Sequence, residues 1–168
     1  MADRDIAFAQ FVTAKADSLQ RTAYLLCGDW HRAEDLTQVT FTKLYRHWHR
    51  LHDLEALDGY ARKVLVRAFL SERRLGWFRR EHVTAEHDDR PGLGFAPEDR
   101  LVLLAALAKV PAGQRAVLVL RYWEDMSVED AARLLDCSEG TVKSQAARGL
   151  QALRALLDVT TLSSRRGA

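Results

Sequence analysis

Apolar side chains recur every three or four residues along most of the chain, and a single stretch rich in helix breakers interrupts this pattern. That stretch runs from about Val83 to Pro97, is polar and acidic, and holds two of the three prolines. Outside it, the strand-like alternation of apolar and polar residues is absent from the sequence. Because helical periodicity with one break predicts two helical bodies and a connection, we expect an all-α protein with two small domains.

The same pattern sets the predicted domain boundaries. Residues 1–82 are expected to form a three-to-four-helix domain, with a first helix that stops at Cys27-Gly28-Asp29 and two more over about 31–51 and 54–75. Residues 83–97 are a short, flexible, acidic linker. Residues 98–160 are a four-helix domain, and residues 161–168 are a disordered tail.

Composition excludes several classes of protein. With 48% hydrophobic and 29% charged residues, the chain is too apolar for disorder and too charged for a membrane protein. The first residues lack the basic and apolar stretches of a secretory signal, so we expect a cytoplasmic protein. Cys27 and Cys137 fit no metal or disulfide spacing. The histidines at 47, 49 and 52 lack companion ligands, so neither a metal site nor a cofactor is predicted.

Charge is distributed in blocks. Between Arg62 and Arg80 there are seven basic residues and one acid, Glu72, whereas Glu124 to Asp136 contains five acids and one base. The basic block could follow a phosphate backbone, and aromatic residues within it could stack on an unpaired base. For Tyr60 and Phe69, however, a place in the core is the stronger expectation.

The most informative residues lie near the end of the chain, where a short helix, a three-residue turn and a longer amphipathic helix follow one another. Ser127 is a predicted cap of the first helix, which stops at Asp136, and Ser138 is a predicted cap of the second. One face of the second helix is apolar and should pack on the domain. The opposite face and its flanks carry Thr141, Lys143, Ser144, Gln145 and Arg148.

Small polar side chains at the amino end of a helix, with cations beside them, are typical of a helix that reads base edges in a major groove. An amphipathic helix with exposed cations is also a common solvated surface. The preceding short helix and the tight turn favour the helix-turn-helix interpretation.

These residues resemble a known family, the bacterial sigma factors of the extracytoplasmic-function type, in particular the SigE-like actinobacterial ones. The recognition-helix signature is matched by Gly140-Thr141-Val142-Lys143-Ser144, followed by Arg148 and Leu150. The run before it is matched by Leu107, Val110-Pro111, Gln114-Arg115 and Val119-Leu120-Arg121-Tyr122. The polymerase-binding helix is matched by Ala33-Glu34-Asp35-Leu36, Gln38, Thr40-Phe41, Leu44-Tyr45 and Trp48. The promoter-reading helix is matched by Tyr60-Ala61-Arg62-Lys63-Val64-Leu65-Val66.

The resemblance implies a sigma factor that binds core RNA polymerase and directs promoter-specific initiation, with no catalytic residues. Its partners would be core polymerase, duplex DNA at the minus-35 element, single-stranded DNA at the minus-10 element and an anti-sigma factor, with no membrane involved. The implied polymerase contacts are Asp35, Gln38, Phe41, Tyr45 and Trp48. The implied minus-10 contacts are Arg62, Lys63, Arg67, Arg73, Arg74 and Trp77. The implied minus-35 contacts are the five polar residues Thr141, Lys143, Ser144, Gln145 and Arg148.

Three positions depart from the family pattern. Val39 stands where the family commonly has an acid, Arg67 replaces an asparagine, and Asp136 occupies the place of the turn glycine. The first affects one polymerase contact and the second the base preference at minus-10. Asp136 can still adopt a left-handed conformation, at some cost.

Two other functions compete with this one. An autonomous helix-turn-helix regulator would also read DNA, but it would not need the polymerase-binding pattern between Glu34 and Trp48. A sigma-like adaptor or anti-sigma protein could share that pattern without supporting transcription. An enzyme is not expected.

Overall fold

The computed structural model describes residues 3–51, 53–74 and 94–166, and all regular elements within these ranges are helical. The chain divides into two compact units, Met1–Trp77 and Phe78–Ala168. The predicted all-α class is therefore confirmed. Most of the predicted linker over 83–97, with the acidic residues that motivated it, lies outside the described residues.

Among its described residues, the N-terminal unit contains three helices and a 3-10 turn. They are α1 (Asp3–Cys27), α2 (Trp30–His47), the 3-10 turn (Trp48–Arg50) and α3 (Leu54–Arg74). At the end of α1, Gly28 adopts a φ of 75°, which side chains disfavour, and its N–H donates to the Tyr24 carbonyl. The Asp29 carboxylate then caps α2 by accepting from the N–H groups of His31 and Arg32.

The core of this unit is built from one apolar face of each helix. Its fully buried members include Ala23, Leu26, Leu36, Leu44, Leu57, Leu65 and Phe69. The buried hydroxyls of Thr37 and Thr40 donate to the carbonyls of Ala33 and Leu36, so burial leaves neither hydroxyl unpaired. A salt bridge of 2.7 Å between Lys15 and Asp58 joins α1 to α3.

From residue 94 to residue 166, the C-terminal unit contains four helices, the second of which ends in a π turn. They are α4 (Pro97–Lys109), α5 (Ala112–Leu118), the π turn (Val119–Trp123), α6 (Val128–Leu135) and α7 (Glu139–Arg166). The turn between α4 and α5 is held by Arg115, which is buried and donates to the carbonyls of Ala108 and Val110 at 2.8 and 2.9 Å.

Two expectations need correction, and the end of α5 adds a local feature that the sequence did not predict. Helix α2 ends at His47, and the residues after it form a 3-10 turn instead of continuing the α-helix to residue 51. The π turn widens the end of α5, where the Glu124 N–H donates to the Val119 carbonyl five residues back, and it leaves Tyr122 exposed. Helix α7 continues to Arg166, through most of the predicted disordered tail, because no proline or glycine interrupts it between Leu150 and Arg166.

Candidate nucleic-acid and polymerase interfaces

Helices α6 and α7 form the predicted helix-turn-helix, and each begins at a serine cap. The Ser127 hydroxyl oxygen accepts from the Asp130 N–H at 3.0 Å, and the Ser138 hydroxyl oxygen accepts from the Thr141 N–H at 3.0 Å. Between the two helices, Asp136 has φ 55° and ψ 50° and is therefore left-handed. This is the conformation expected of the residue that stands in place of the turn glycine. The chain can therefore turn sharply enough to set α7 against α6.

Helix α7 is fixed to the unit by its inner face. Val142, Ala146 and Gly149 are buried along one side. A Cβ atom on Gly149 would lie 3.0 Å from Cγ of Leu118, so only a glycine lets α7 approach α5 this closely without displacing that side chain. This packing determines which residues of α7 face outwards.

Four of the five predicted minus-35 residues are exposed on the first turns of α7, namely Thr141, Lys143, Ser144 and Arg148. The hydroxyls of Ser138 and Thr141 share a hydrogen bond of 2.9 Å, and the Ser144 hydroxyl donates to the Thr141 carbonyl at 3.1 Å. Two short hydroxyl side chains thus lie close to the helix, and the longer Lys143 and Arg148 extend beyond them. Such a surface can approach base edges while its cations reach phosphates.

Gln145 differs from the other four. Its side chain is half-buried, and its Oε1 atom is buried with no hydrogen-bond partner. In the free protein this side chain is therefore turned partly towards the domain. In this rotamer its Oε1 atom is not available to a base.

The outer surface of α6 carries acids as well as a cation, unlike the outer face of α7. Arg133 forms ion pairs with Glu129 at 2.5 Å and with Asp130 at 3.5 Å, so its charge is balanced within the helix. The open groove between α6 and the start of α7 is also lined by Asp136 and Glu139. The positive charge of the helix-turn-helix is consequently concentrated on α7, at Lys143 and Arg148.

The predicted minus-10 residues lie along α3, and the structure describes some of them. The Arg67 side chain is exposed, and those of Arg62 and Lys63 are half-buried. Arg73 and Arg74 fall in the last turn of α3, but their side chains, like the whole of Trp77, lie outside the described residues. Phe69 is buried in the core as expected, and Tyr60 is half-buried.

The predicted polymerase residues lie on α2 and the 3-10 turn and differ in exposure. Asp35 and Gln38 are exposed, Phe41 is half-buried and Tyr45 is 42% exposed. Trp48 is only 7% exposed, so the structure places this predicted contact residue inside the unit. Its indole packs on Phe8 and Phe11 of α1, with ring centroids 5.1 and 5.4 Å apart.

Sequence analysis missed two neighbours of this face. Glu72 of α3 is close enough to Asp35 and Lys43 to interact electrostatically with both. Burial raises the pKa of the Glu72 carboxyl. The positive charge of Lys43 lowers this pKa, and the negative charge of Asp35 raises it further. Asp5 of α1 accepts a hydrogen bond from the Tyr45 hydroxyl. Both contacts join residues that are far apart in sequence, and no local motif indicates them.

Within the described residues, no group of histidine, cysteine or acidic side chains could hold a metal ion. None of the helices in that part of the chain has the length and apolar character needed to cross a membrane.

Each of the two units matches a known family model. The family model for Sigma-70 region 2 matches residues 11–79, and the model for Sigma-70, region 4 matches residues 100–153. These ranges contain α2 and α3 in the first case and the helix-turn-helix in the second.

Similar proteins match over most of the chain. An RNA polymerase sigma-E factor of Streptomyces coelicolor is 34% identical over 166 residues, which cover 95% of this chain and 91% of that protein. The ECF RNA polymerase sigma factor SigE of Mycolicibacterium smegmatis is 35% identical over 86% of this chain and 59% of its own length.

A solved structure agrees with these matches. The sigma factor RpoE, crystallised with the anti-sigma factor NepR from Bartonella quintana, superposes with a TM-score of 0.72 at 26% identity, over 91% of this chain and 98% of that one. The chain belongs to the sigma-70 family of RNA polymerase sigma factors, and within it to the extracytoplasmic-function type.

Proposed function

We propose that this sigma factor binds core RNA polymerase through its N-terminal unit and directs it to promoters whose minus-35 element is read by α7. The observation that carries the proposal is the division of α7 into two faces. Its inner face is locked against α5 at Gly149, and its outer face presents Thr141, Lys143, Ser144 and Arg148 after a capped tight turn. A rigidly held helix with this surface suits insertion into a major groove.

Polymerase binding is assigned to the exposed part of α2. Asp35 and Gln38 lie three residues apart on its outer face and Tyr45 is exposed two turns further on, so a partner could contact all three together. Trp48 supports this face from inside. Its burial against Phe8 and Phe11 fixes the end of α2.

Strand capture at the minus-10 element is assigned to α3. Arg62, Lys63 and Arg67 lie within two turns of one helix and can follow the phosphates of an opened strand. Arg73, Arg74 and Trp77 belong to the same proposal on sequence grounds alone.

The remaining assignments follow from the family. The protein acts by binding and not as an enzyme, it works in the cytoplasm with the polymerase, and an anti-sigma factor is a further partner. The last assignment is supported by the complex in which the similar RpoE protein was crystallised.

The test is transcription by purified core polymerase on genomic DNA, with and without the protein, followed by sequencing of transcript ends. New start sites that share upstream elements at fixed spacings would support the proposal. Core binding without new transcripts would favour an adaptor or anti-sigma protein. Promoter binding that needs no polymerase would favour an autonomous regulator.

A further inference from the structure

The first turn of α1 packs on the exposed ring of Tyr45 near the end of α2. The Tyr45 hydroxyl donates to Oδ1 of Asp5 at 2.8 Å. The guanidinium of Arg4 lies over the same ring, 5.4 Å from its centroid, and donates to the Tyr45 carbonyl at 3.4 Å. Two adjacent residues of α1 therefore hold the ring, the hydroxyl and the backbone of one residue on α2.

The ring is also supported from within the unit. Phe8, one turn after Arg4, lies 5.0 Å from the Tyr45 ring in a tilted arrangement. Phe8 in turn contacts Trp48, which is buried. Tyr45 is thus the outermost member of an aromatic cluster. Arg4 and Asp5 contact the part of the Tyr45 side chain that the other aromatic rings leave uncovered.

We propose that Arg4 and Asp5 are positioning residues for polymerase binding, which hold the Tyr45 ring in its binding orientation and extend the polymerase-binding face from α2 onto α1. This inference rests on the proposed function, because it assumes that Tyr45 contacts polymerase. A tyrosine already held in place loses less conformational freedom when it is covered by a partner. The hydrogen bond to Asp5 also raises the pKa of the Tyr45 hydroxyl.

A positioning role and a purely structural role of α1 predict different effects of conservative substitutions. Asp5→Asn keeps a side-chain oxygen that can accept from the tyrosine hydroxyl, whereas Asp5→Ala removes it. Tyr45→Phe keeps the ring and its packing on Phe8 but removes the donor. If the hydroxyl-to-carboxylate contact positions the ring, Asp5→Ala and Tyr45→Phe remove the same interaction.

The experiment measures the affinity of the full chain for core polymerase by fluorescence titration. Asp5→Ala and Tyr45→Phe should each weaken binding by about 3- to 10-fold, and the double variant should be no weaker than either one. Asp5→Asn should bind within about twofold of the wild type, because it restores the acceptor. Asp17→Ala, which removes a different acid of α1 that is exposed, is the matched control and should leave affinity unchanged.

A second readout separates failure of the inference from failure of the proposed function. Alkaline absorbance titration, with Tyr45→Phe used to identify the signal of Tyr45, should show that Asp5→Ala lowers the pKa of this tyrosine. If that pKa falls but affinity for polymerase is unchanged in all variants, the positioning role is wrong and the proposed function stands. Additive losses of polymerase affinity in the double variant would also overturn the positioning role. If the wild type itself does not bind polymerase, the proposed function fails and the inference fails with it.

Discussion

Gly149 of α7 lies against Leu118 of α5 so closely that a Cβ atom on the glycine would meet three atoms of the leucine side chain at 3.0 to 3.3 Å. Leu118 is itself buried and cannot move far. Gly149→Ala should therefore lower the stability of the C-terminal unit by about 1 kcal/mol, because the overpacking cost exceeds the gain in helix propensity. Chemical denaturation followed by circular dichroism measures the change.

The sign of this effect should depend on Leu118. In a Leu118→Ala background the space is open, so Gly149→Ala should become stabilising by up to about 1 kcal/mol, the propensity term alone. An alanine that is equally unfavourable in both backgrounds would show that the close approach is not what requires the glycine.

Arg115 is 1% exposed, and its guanidinium donates to the carbonyls of Ala108 and Val110 where α4 turns into α5. Arg115→Ala should destabilise the C-terminal unit by about 3 kcal/mol, because it leaves those carbonyls without their donor and opens a cavity. Arg154→Ala, on the exposed part of α7, is the control and should change stability by less than about 0.5 kcal/mol. Equal melting temperatures for the two variants would contradict the assigned role of Arg115.

The raised pKa of Glu72 predicts a pH dependence in the N-terminal unit. Its ordinary value is 4.5, and a carboxyl whose pKa is higher in the folded state stabilises the fold below 4.5 and loses that contribution as pH rises through the folded value. Glu72→Gln should therefore melt at a higher temperature than the wild type at pH 7, and the advantage should shrink as pH falls towards 4.5.

Lys43 provides the internal control for Glu72, since this cation opposes the rise. Lys43→Gln should lower the melting temperature at pH 7 in the wild-type background and have a smaller effect beside Glu72→Gln. A constant difference between wild type and Glu72→Gln from pH 4.5 to 7 would refute the coupling.

The sequence predicted those features whose cause is local. Helical periodicity predicted the order of the helices in the described residues, although α2 ends earlier and α7 later than expected. The serine caps of α6 and α7 lie where the sequence places them. The left-handed conformation of Asp136 was also predictable, because a short turn between two helices requires it whichever residue stands there.

Features that depend on distant parts of the chain were not predictable. Trp48 matched a surface motif, yet its burial depends on Phe8 and Phe11, which belong to the first half of α1 and lie far from it in sequence. The contact between Asp5 and Tyr45 spans 40 residues in sequence. The half-buried amide of Gln145 likewise depends on how α7 packs. In each case the residue type was compatible with either location, and only tertiary packing decided between them.

The most direct test of the proposed promoter-reading role is selection from a randomised minus-35 element by the holoenzyme, performed with wild type, Arg148→Ala and Lys143→Ala. Both residues are exposed on α7, but Arg148 lies one turn beyond Ser144 on the outer face, whereas Lys143 lies on its flank. Arg148→Ala should cost roughly 1 to 3 kcal/mol on the preferred sequence and relax selection at one position. Lys143→Ala should weaken all sequences about equally, as expected for a phosphate contact. Unchanged motifs and unchanged affinities for both variants would show that α7 does not read DNA.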